Sequence, residues 1–375
     1  MHEFADWLRY YNNLDVTPGI EALEKMRNVF TEKGIDIFKD AVSISGVSLH
    51  YLLTGTIERC HHLYSPGQEE YEMLKGAVVG GPRLVFTRKK VAGETLIRPH
   101  KFAEPRLCKK ILGYDANALY LSTMLRDMTC GRGRVIHYDS CRQEAEAFSL
   151  SRRVKEGEVF GFVEVDMHVP KPLWGVFEEM CPFFYNKTIP DECVPKHMTD
   201  YLLKTGRGKR SAKDKKLVGA LSAEKMLVYT PLLKWYVDHG VVVTRVYREI
   251  NYKREKPFQW FVDEVTEARR MGDTDKNKAL LADIFKLLGN SAYGKTIEDV
   301  TRQTNIIYTK DENVVDRAMR STFFLDLEEI GPTYNLESRK PRVNQKTFPG
   351  GDSCLPVSEA ADAGILLRLS RQISR

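Results

Sequence analysis

Two short phrases of this 375-residue chain hold the side chains best suited to chemistry on a nucleoside triphosphate. The upstream phrase is Tyr114-Asp115-Ala116-Asn-Ala-Leu119-Tyr120-Leu-Ser122; the downstream one is Lys286-Leu-Leu-Gly-Asn290-Ser-Ala-Tyr293-Gly294-Lys295. An aspartate at a strand end can hold divalent cations, which in phosphoryl transfer lower the pKa of an attacking hydroxyl and neutralise the triphosphate. Asp115 suits that task, with the carbonyl of Ala116 as a further oxygen ligand; a plain turn aspartate is the alternative. Tyr120 would lie beneath an incoming sugar and exclude a 2′-hydroxyl by occupying its volume, or else fill a core. Lys278 and Lys286 fall close to one helical face, from which they can grip a triphosphate; solvated lysines on an amphipathic helix are the alternative. Asn290 and Tyr293 follow within about a turn, where Tyr293 can pack against a nascent base pair.

Such groups need a strand end and a helix to hold them. Ile111-Leu112 and Tyr114 read as a short apolar strand ending at Asp115. From Pro257, the spacing of Phe258, Phe261, Val262 and Val265 predicts a helix. Gly272-Asp273-Thr274-Asp275 should break it and cap a second helix with a carboxylate. Leu280, Leu281, Ile284, Phe285 and Leu288 form that second helix's apolar stripe, giving a helical hairpin. Upstream, Ile20, Leu23, Met26, Val29 and Phe30 predict a helix within residues 20–40, and the alternation from Val159 to Val169 predicts a strand. Thr230-Pro231 opens a helix, with the Thr230 hydroxyl as its cap; Gly240 ends it, and a strand follows from Val241 to Ile250. From about Gly331 the chain loses periodicity and reads as a loosely ordered tail.

Length predicts two or three domains, and a hydrophobic fraction of 42% with 29% charged residues fits a soluble globular protein. Net charge is +6. Lys204, Arg207, Lys209, Arg210, Lys213, Lys215 and Lys216 cluster around Asp214, as a solvated loop or as a contact for phosphates. The seven cysteines show no paired framework, which points to a reducing compartment. Cys181, Cys193 and His197 do not have the spacing of a zinc module. Neither a signal peptide nor a membrane-spanning run is visible, so an intracellular, soluble protein without a membrane partner is expected. Gly289–Thr296 also fits the phosphate-loop pattern G-x-x-x-x-G-K-T, with Asp326 as its downstream magnesium ligand. That loop requires a preceding strand, whereas Ala279–Leu288 has helical periodicity, and it leaves Asp115 and Tyr120 without a role.

The two phrases resemble motifs of family B DNA polymerases, in the protein-primed branch of viruses, linear plasmids and self-synthesising DNA transposons. Tyr114–Ser122 is similar to the first polymerase motif, D-x-x-S-L-Y-P-S, with Ala118 for serine and Leu121 for proline. Lys286–Gly294 matches the second motif, K-x-x-x-N-S-x-Y-G, throughout. The resemblance implies that Asp115 and Ala116 bind Mg2+ or Mn2+ and that Tyr120 gates the sugar. Lys286, with Lys278, would hold the dNTP, Asn290 and Tyr293 would shape the nascent pair, and Gly294 and Lys295 would contact DNA. Tyr11-Asn-Asn-Leu-Asp15 resembles the third exonuclease motif, with Asp15 as a metal ligand. Val78-Val-Gly80-Gly81 sits where the family has a template-binding Y-x-G-G loop, so Gly80 and Gly81 would approach single-stranded template.

The implied fold is α+β, a partial right-hand polymerase with an antiparallel palm sheet, a helical finger hairpin and a remnant of an exonuclease domain. Residues 1–60 would be the 3′–5′ exonuclease remnant, 61–124 the linker loop and first palm segment, and 125–255 an insertion that holds a terminal priming protein and encircles DNA. Residues 256–300 would be the fingers, and 301–375 a partial palm segment with a poorly ordered tail. Template–primer DNA and dNTPs are the implied partners, with nuclear or viral-factory location in a eukaryotic host. The first two exonuclease motifs, the Asp-Thr-Asp motif and the K-x-Y motif are not seen, and Gly272–Asp275 lies on the wrong side of the lysine helix to replace Asp-Thr-Asp. A fragment with little or no polymerase activity is therefore expected. The alternatives are a non-catalytic DNA-binding remnant and a P-loop ATPase.

Overall fold

The computed structural model describes residues 3–41, 43–59, 63, 68–82, 85, 89–97, 104–114, 119–177, 180–205, 215–296, 298 and 304–339. The chain forms two compact units, one from Met1–Gly67 with Pro257–Ser353, the other from Gln68–Lys256 with Cys354–Arg375. The fold is α+β, and all of its sheets are antiparallel.

The first unit opens with α1 (Phe4–Thr31) and α2 (Ile44–Glu58). The helix expected within residues 20–40 thus begins earlier and ends sooner. Its amino-terminal part is supported by aromatic rings a turn apart, Phe4 on Trp7 at 6.0 Å and Trp7 on Tyr11 at 5.6 Å between centroids. The Ser43 side chain starts α2 by accepting the Gly46 N–H.

The second unit begins with α3 (Gln68–Ala77), the two-residue strands β1 (Leu96–Ile97) and β2 (Arg106–Leu107), and the short α4 (Leu119–Thr123). No strand forms at Ile111–Tyr114, contrary to expectation. Ile111, Leu112 and Tyr114 are 57%, 55% and 76% exposed, and so short an apolar run carries no period that would distinguish a strand from a loop. The unit continues with β3 (Met128–His137), α5 (Ala145–Glu156), β4 (Gly161–His168), β5 (Phe183–Thr188) and α6 (Lys196–Lys204). It ends with β6 (Lys215–Ala220), β7 (Ser222–Tyr229), α7 (Thr230–Asp238) and β8 (Val242–Glu255). A four-stranded sheet in the order β3-β8-β4-β7 is its centre, and β5 with β6 forms a separate ladder.

Central strand β4 has the alternation expected of it. Val163, Val165 and Met167 are buried in one cluster with Leu150 and Val154 of α5 and Leu233 and Tyr236 of α7. The Thr230 hydroxyl does not cap α7. It accepts the Gly161 N–H at 3.1 Å, because the neighbouring strand leaves that donor otherwise buried.

The chain then returns to the first unit with α8 (Gln259–Thr274) and α9 (Ala279–Thr296). Gly272, Asp273 and Thr274 remain helical, so the expected break moves to Asp275, which ends α8 and donates its N–H to the Met271 carbonyl. A 3-10 turn, Lys276–Lys278, leads into α9. Helices α2, α8 and α9 pack on one another. Beyond them lie β9 (Thr304–Thr309), α10 (Glu312–Met319), β10 (Phe324–Ile330) and β11 (Thr333–Arg339). They form a three-stranded sheet in the order β10-β11-β9. The tail expected from Gly331 is therefore ordered as far as Arg339, because Gly331 turns β10 into β11 rather than ending the fold.

Candidate active site

Helix α9 carries the downstream phrase. Ile284, Phe285, Leu288, Gly289, Ala292 and Tyr293 are buried, whereas Lys286 and Asn290, four positions apart, are exposed. At about 100° per residue this separation puts Lys286 and Asn290 on one side of the helix, a turn apart. Tyr293 is 7% exposed and sits at the margin of the buried face. Lys278 lies on the 3-10 turn before α9, so the shared helical face expected for Lys278 and Lys286 does not exist. Gly294 is exposed, with nothing within 4 Å of where a Cβ would stand, and Lys295 is ion-paired with Glu298.

The phosphate-loop reading fails on the same helix. Gly289 to Thr296 are all helical and follow a helix rather than a strand, so their amide N–H groups cannot wrap a phosphate. The Asp326 that would have served it lies on β10.

A polar latch fastens the α8–α9 hairpin within its unit. The Lys33 ammonium, just beyond α1, is ion-paired with Glu264 of α8 and lies 3.1 Å from the Tyr51 hydroxyl of α2. It also stands 5.1 Å from the ring centre of Phe285, the residue before Lys286. Tyr51 in turn donates to Glu264. Burial, and then this hydrogen bond, raises the Tyr51 hydroxyl well above its ordinary value, in keeping with its donor role toward Glu264. Nearer the start of α8, the Trp260 indole N–H donates to Thr56 at 3.1 Å, and the Arg59 guanidinium lies 4.2 Å over the Trp260 ring. None of Lys33, Tyr51 and Glu264 stood out in the sequence, where no local pattern links them.

In the second unit Tyr120 lies on α4 and is 49% exposed, between buried Leu121 and Thr123 and exposed Tyr114. It is not a core tyrosine. Asp115 and Ala116 lie outside the described residues, so the geometry of the upstream phrase starts at Leu119. Among the described residues no group of three or more His, Cys, Asp or Glu side chains could hold a metal ion. Gly80 and Gly81 lie in irregular chain, with nothing within 4 Å of an added Cβ at either. On α1, Tyr11 and Asp15 are exposed a turn apart.

The sequence profile of the family described as DNA polymerase type B, organellar and viral, matches residues 1–347. No curated protein matches. Among solved structures, the chain is similar to Phi29 DNA polymerase complexed with primer-template DNA and incoming nucleotide substrates. That likeness has 14% identity and a TM-score of 0.46, over 92% of this chain and 47% of that one. The same polymerase complexed with single-stranded DNA gives 14% identity and a TM-score of 0.45, again over 92% and 47%. Its post-translocation binary complex with primer-template DNA gives 13% and 0.46, over 90% and 46%. This chain spans about half the length of those polymerase chains. With residues 1–347 matched, the chain belongs to the organellar and viral type B DNA polymerases.

Proposed function

We propose that this chain supplies nucleotide-gripping and part of the palm machinery of a protein-primed DNA polymerase. The reaction is nucleotidyl transfer from a dNTP to a primer 3′-hydroxyl or to a hydroxyl of a terminal priming protein, on a DNA template. The observation that carries the reading is the exposed Lys286–Asn290 pair on a helix whose other side is buried, within a segment covered by the family match. Such a helix can offer a cation to a triphosphate without giving up its packing. Lys286 holds the triphosphate, and Asn290 and Tyr293 shape the pairing site. Tyr120 excludes the 2′-hydroxyl by volume, consistent with its exposure on α4. Gly80, Gly81, Gly294 and Lys295 lie along template or primer.

Mg2+ or Mn2+ held by Asp115 and the Ala116 carbonyl would lower the pKa of the attacking hydroxyl and neutralise the triphosphate. On this reading residues 1–60, with Tyr11 and Asp15, come from an exonuclease domain, 61–124 begin the palm, and 125–255 hold the priming protein. Residues 256–300 are the fingers, and 301–375 rejoin the palm.

Primer extension tests the reading, with the purified 375-residue chain, labelled template–primer, dNTPs and either metal. Only one of the two main metal carboxylates is identifiable, so weak extension is expected, abolished by Asp115→Ala. Robust synthesis by this chain refutes the low-activity expectation. Salt-sensitive DNA binding with no extension in either metal selects the non-catalytic binding role instead.

A further inference from the structure

Edge strand β3 contains the run Gly131-Arg132-Gly133-Arg134, and its pairing with β8 is interrupted there. Cys130 faces Lys253 and Arg134 faces Asn251, so Gly131, Arg132 and Gly133 together oppose the single residue Tyr252. Two separate physical causes require the glycines. Gly131 has φ +72, a conformation that disfavours side chains. At Gly133 a Cβ would stand 2.7 Å from Tyr252 Cζ and 2.8 Å from Ile250 Cγ2. The backbone is therefore shaped to carry Arg132 on an outward bulge, the usual way an edge strand re-aims a side chain.

Arg132, Arg134 and Lys253 are all exposed. Among the described residues none of their side chains forms an ion pair or hydrogen bond. The contrast with their neighbours is direct. Arg248 pairs with Glu164, Arg254 with Asp127, Arg153 with Glu249 and Arg245 with Glu144. Among the described residues, Arg132 and Arg134 on edge strand β3, and Lys253 beside the bulge on β8, are thus left without counter-charge, as are Arg106 and Arg126 elsewhere in the unit, whereas those four arginines have carboxylate partners. An open, linear edge suits a polymer of phosphates better than a small anion, and guanidinium forks match phosphate oxygens.

We propose that Arg132, Arg134 and Lys253 form a clamp for the phosphodiester backbone of DNA. The clamp rests on the polymerase reading, which supplies DNA as the polyanion, and it positions the nucleic acid without reading sequence.

The test is fluorescence anisotropy of a labelled duplex with a single-stranded overhang, titrated with the full chain over a series of salt concentrations. The wild-type plot of log K against log salt has a slope set by the number of phosphate contacts. Arg132→Ala with Arg134→Ala is expected to flatten it by roughly 1.8, at about 0.9 per contact, and Lys253→Ala by about 0.9. Replacing both arginines by lysine should restore the slope. Arg142→Ala with Arg152→Ala, which removes two exposed arginines that do have carboxylate partners, should leave it unchanged. Should the alanine pair misfold by circular dichroism, Arg132→Gln with Arg134→Gln carries the same expectation with the side-chain stems kept. An unchanged slope in a folded double variant, or an equal loss in the control pair, overturns the clamp and leaves the polymerase reading standing. No DNA binding by the wild-type chain overturns the reading on which the clamp rests.

Discussion

Arg153 reaches from α5 to Glu249 on β8, with guanidinium nitrogens 2.8 and 3.1 Å from the two carboxylate oxygens. Glu249 has no exposed surface. Burial pushes its carboxyl up, but hydrogen bonds from Arg153, Asn251 and Tyr138 and the Arg153 charge outweigh it. The net effect is to hold the group below its ordinary value of 4.5. A carboxylate depressed in this way contributes stability that is fully present above the unfolded value and lost as pH falls through the folded one. Acid unfolding followed by circular dichroism should therefore steepen below about 4.5 in the wild type and be flatter in Glu249→Gln. Glu249→Ala strands Arg153 as well and should cost roughly 3 kcal/mol at neutral pH by urea denaturation. A loss under about 1 kcal/mol would mean that the pair behaves as an ordinary surface bridge. Lys286 is a different kind of residue: exposed and unnecessary to packing, it can be removed cheaply. Lys286→Ala should leave the thermal midpoint within error yet weaken dNTP binding about tenfold or more, as expected for a lost hydrogen bond to a charged group.

Helices α8 and α9 form the element on which the proposed chemistry depends, and their approach is set by small residues. A Cβ at Gly272 would stand 2.2 Å from the Ala282 Cβ, so Gly272→Ala must push the helices apart. That change should cost about 1–3 kcal/mol and raise the KM for dNTP, read from thermal melts and from extension kinetics. Gly294, on the same hairpin, has open space around it. Gly294→Ala should stabilise the chain by up to about 1 kcal/mol through helix propensity, and weaken DNA binding only if the backbone there touches DNA. The Lys33–Tyr51–Glu264 latch fastens the hairpin to α2, and Glu264→Ala leaves Lys33 without its anion. With both side chains partly exposed, at 23% and 31%, the expected loss is roughly 1–2 kcal/mol, and Glu264→Gln should recover part of it through the Tyr51 hydrogen bond. At this scale the alternation of β4 and the Ile284, Phe285 and Leu288 part of the α9 stripe were legible, because each is periodic over several turns or residues, whereas Leu280 at the start of α9 is exposed. The missing strand before Asp115 and the hairpin after Gly331 were not, because runs so short leave the outcome to distant partners.

At the scale of the molecule, the chain divides into two units, and the first is discontinuous, with residues 68–256 inserted between its parts. The four-stranded sheet and its covering helices all come from that inserted stretch. Reading the inserted stretch as an independently folding body predicts that residues 68–256, expressed alone, melt cooperatively in calorimetry; a broad, non-cooperative transition would refute it. By itself the sequence determined the family, the α+β class, the helix bearing Lys286 and Asn290, and the strand at residues 161–168. Each of these depends on residue types a few positions apart, where periodicity and motif spacing act. Only the tertiary structure decided that Thr230 serves Gly161 rather than its own helix, and that Lys278 leaves the face of Lys286. It alone joined Lys33 to Glu264 across 231 positions and Arg153 to Glu249 across 96. Partnerships of that span arise when packing brings distant polar groups into a site too dry to leave them unpaired, and no local spacing encodes which one arrives.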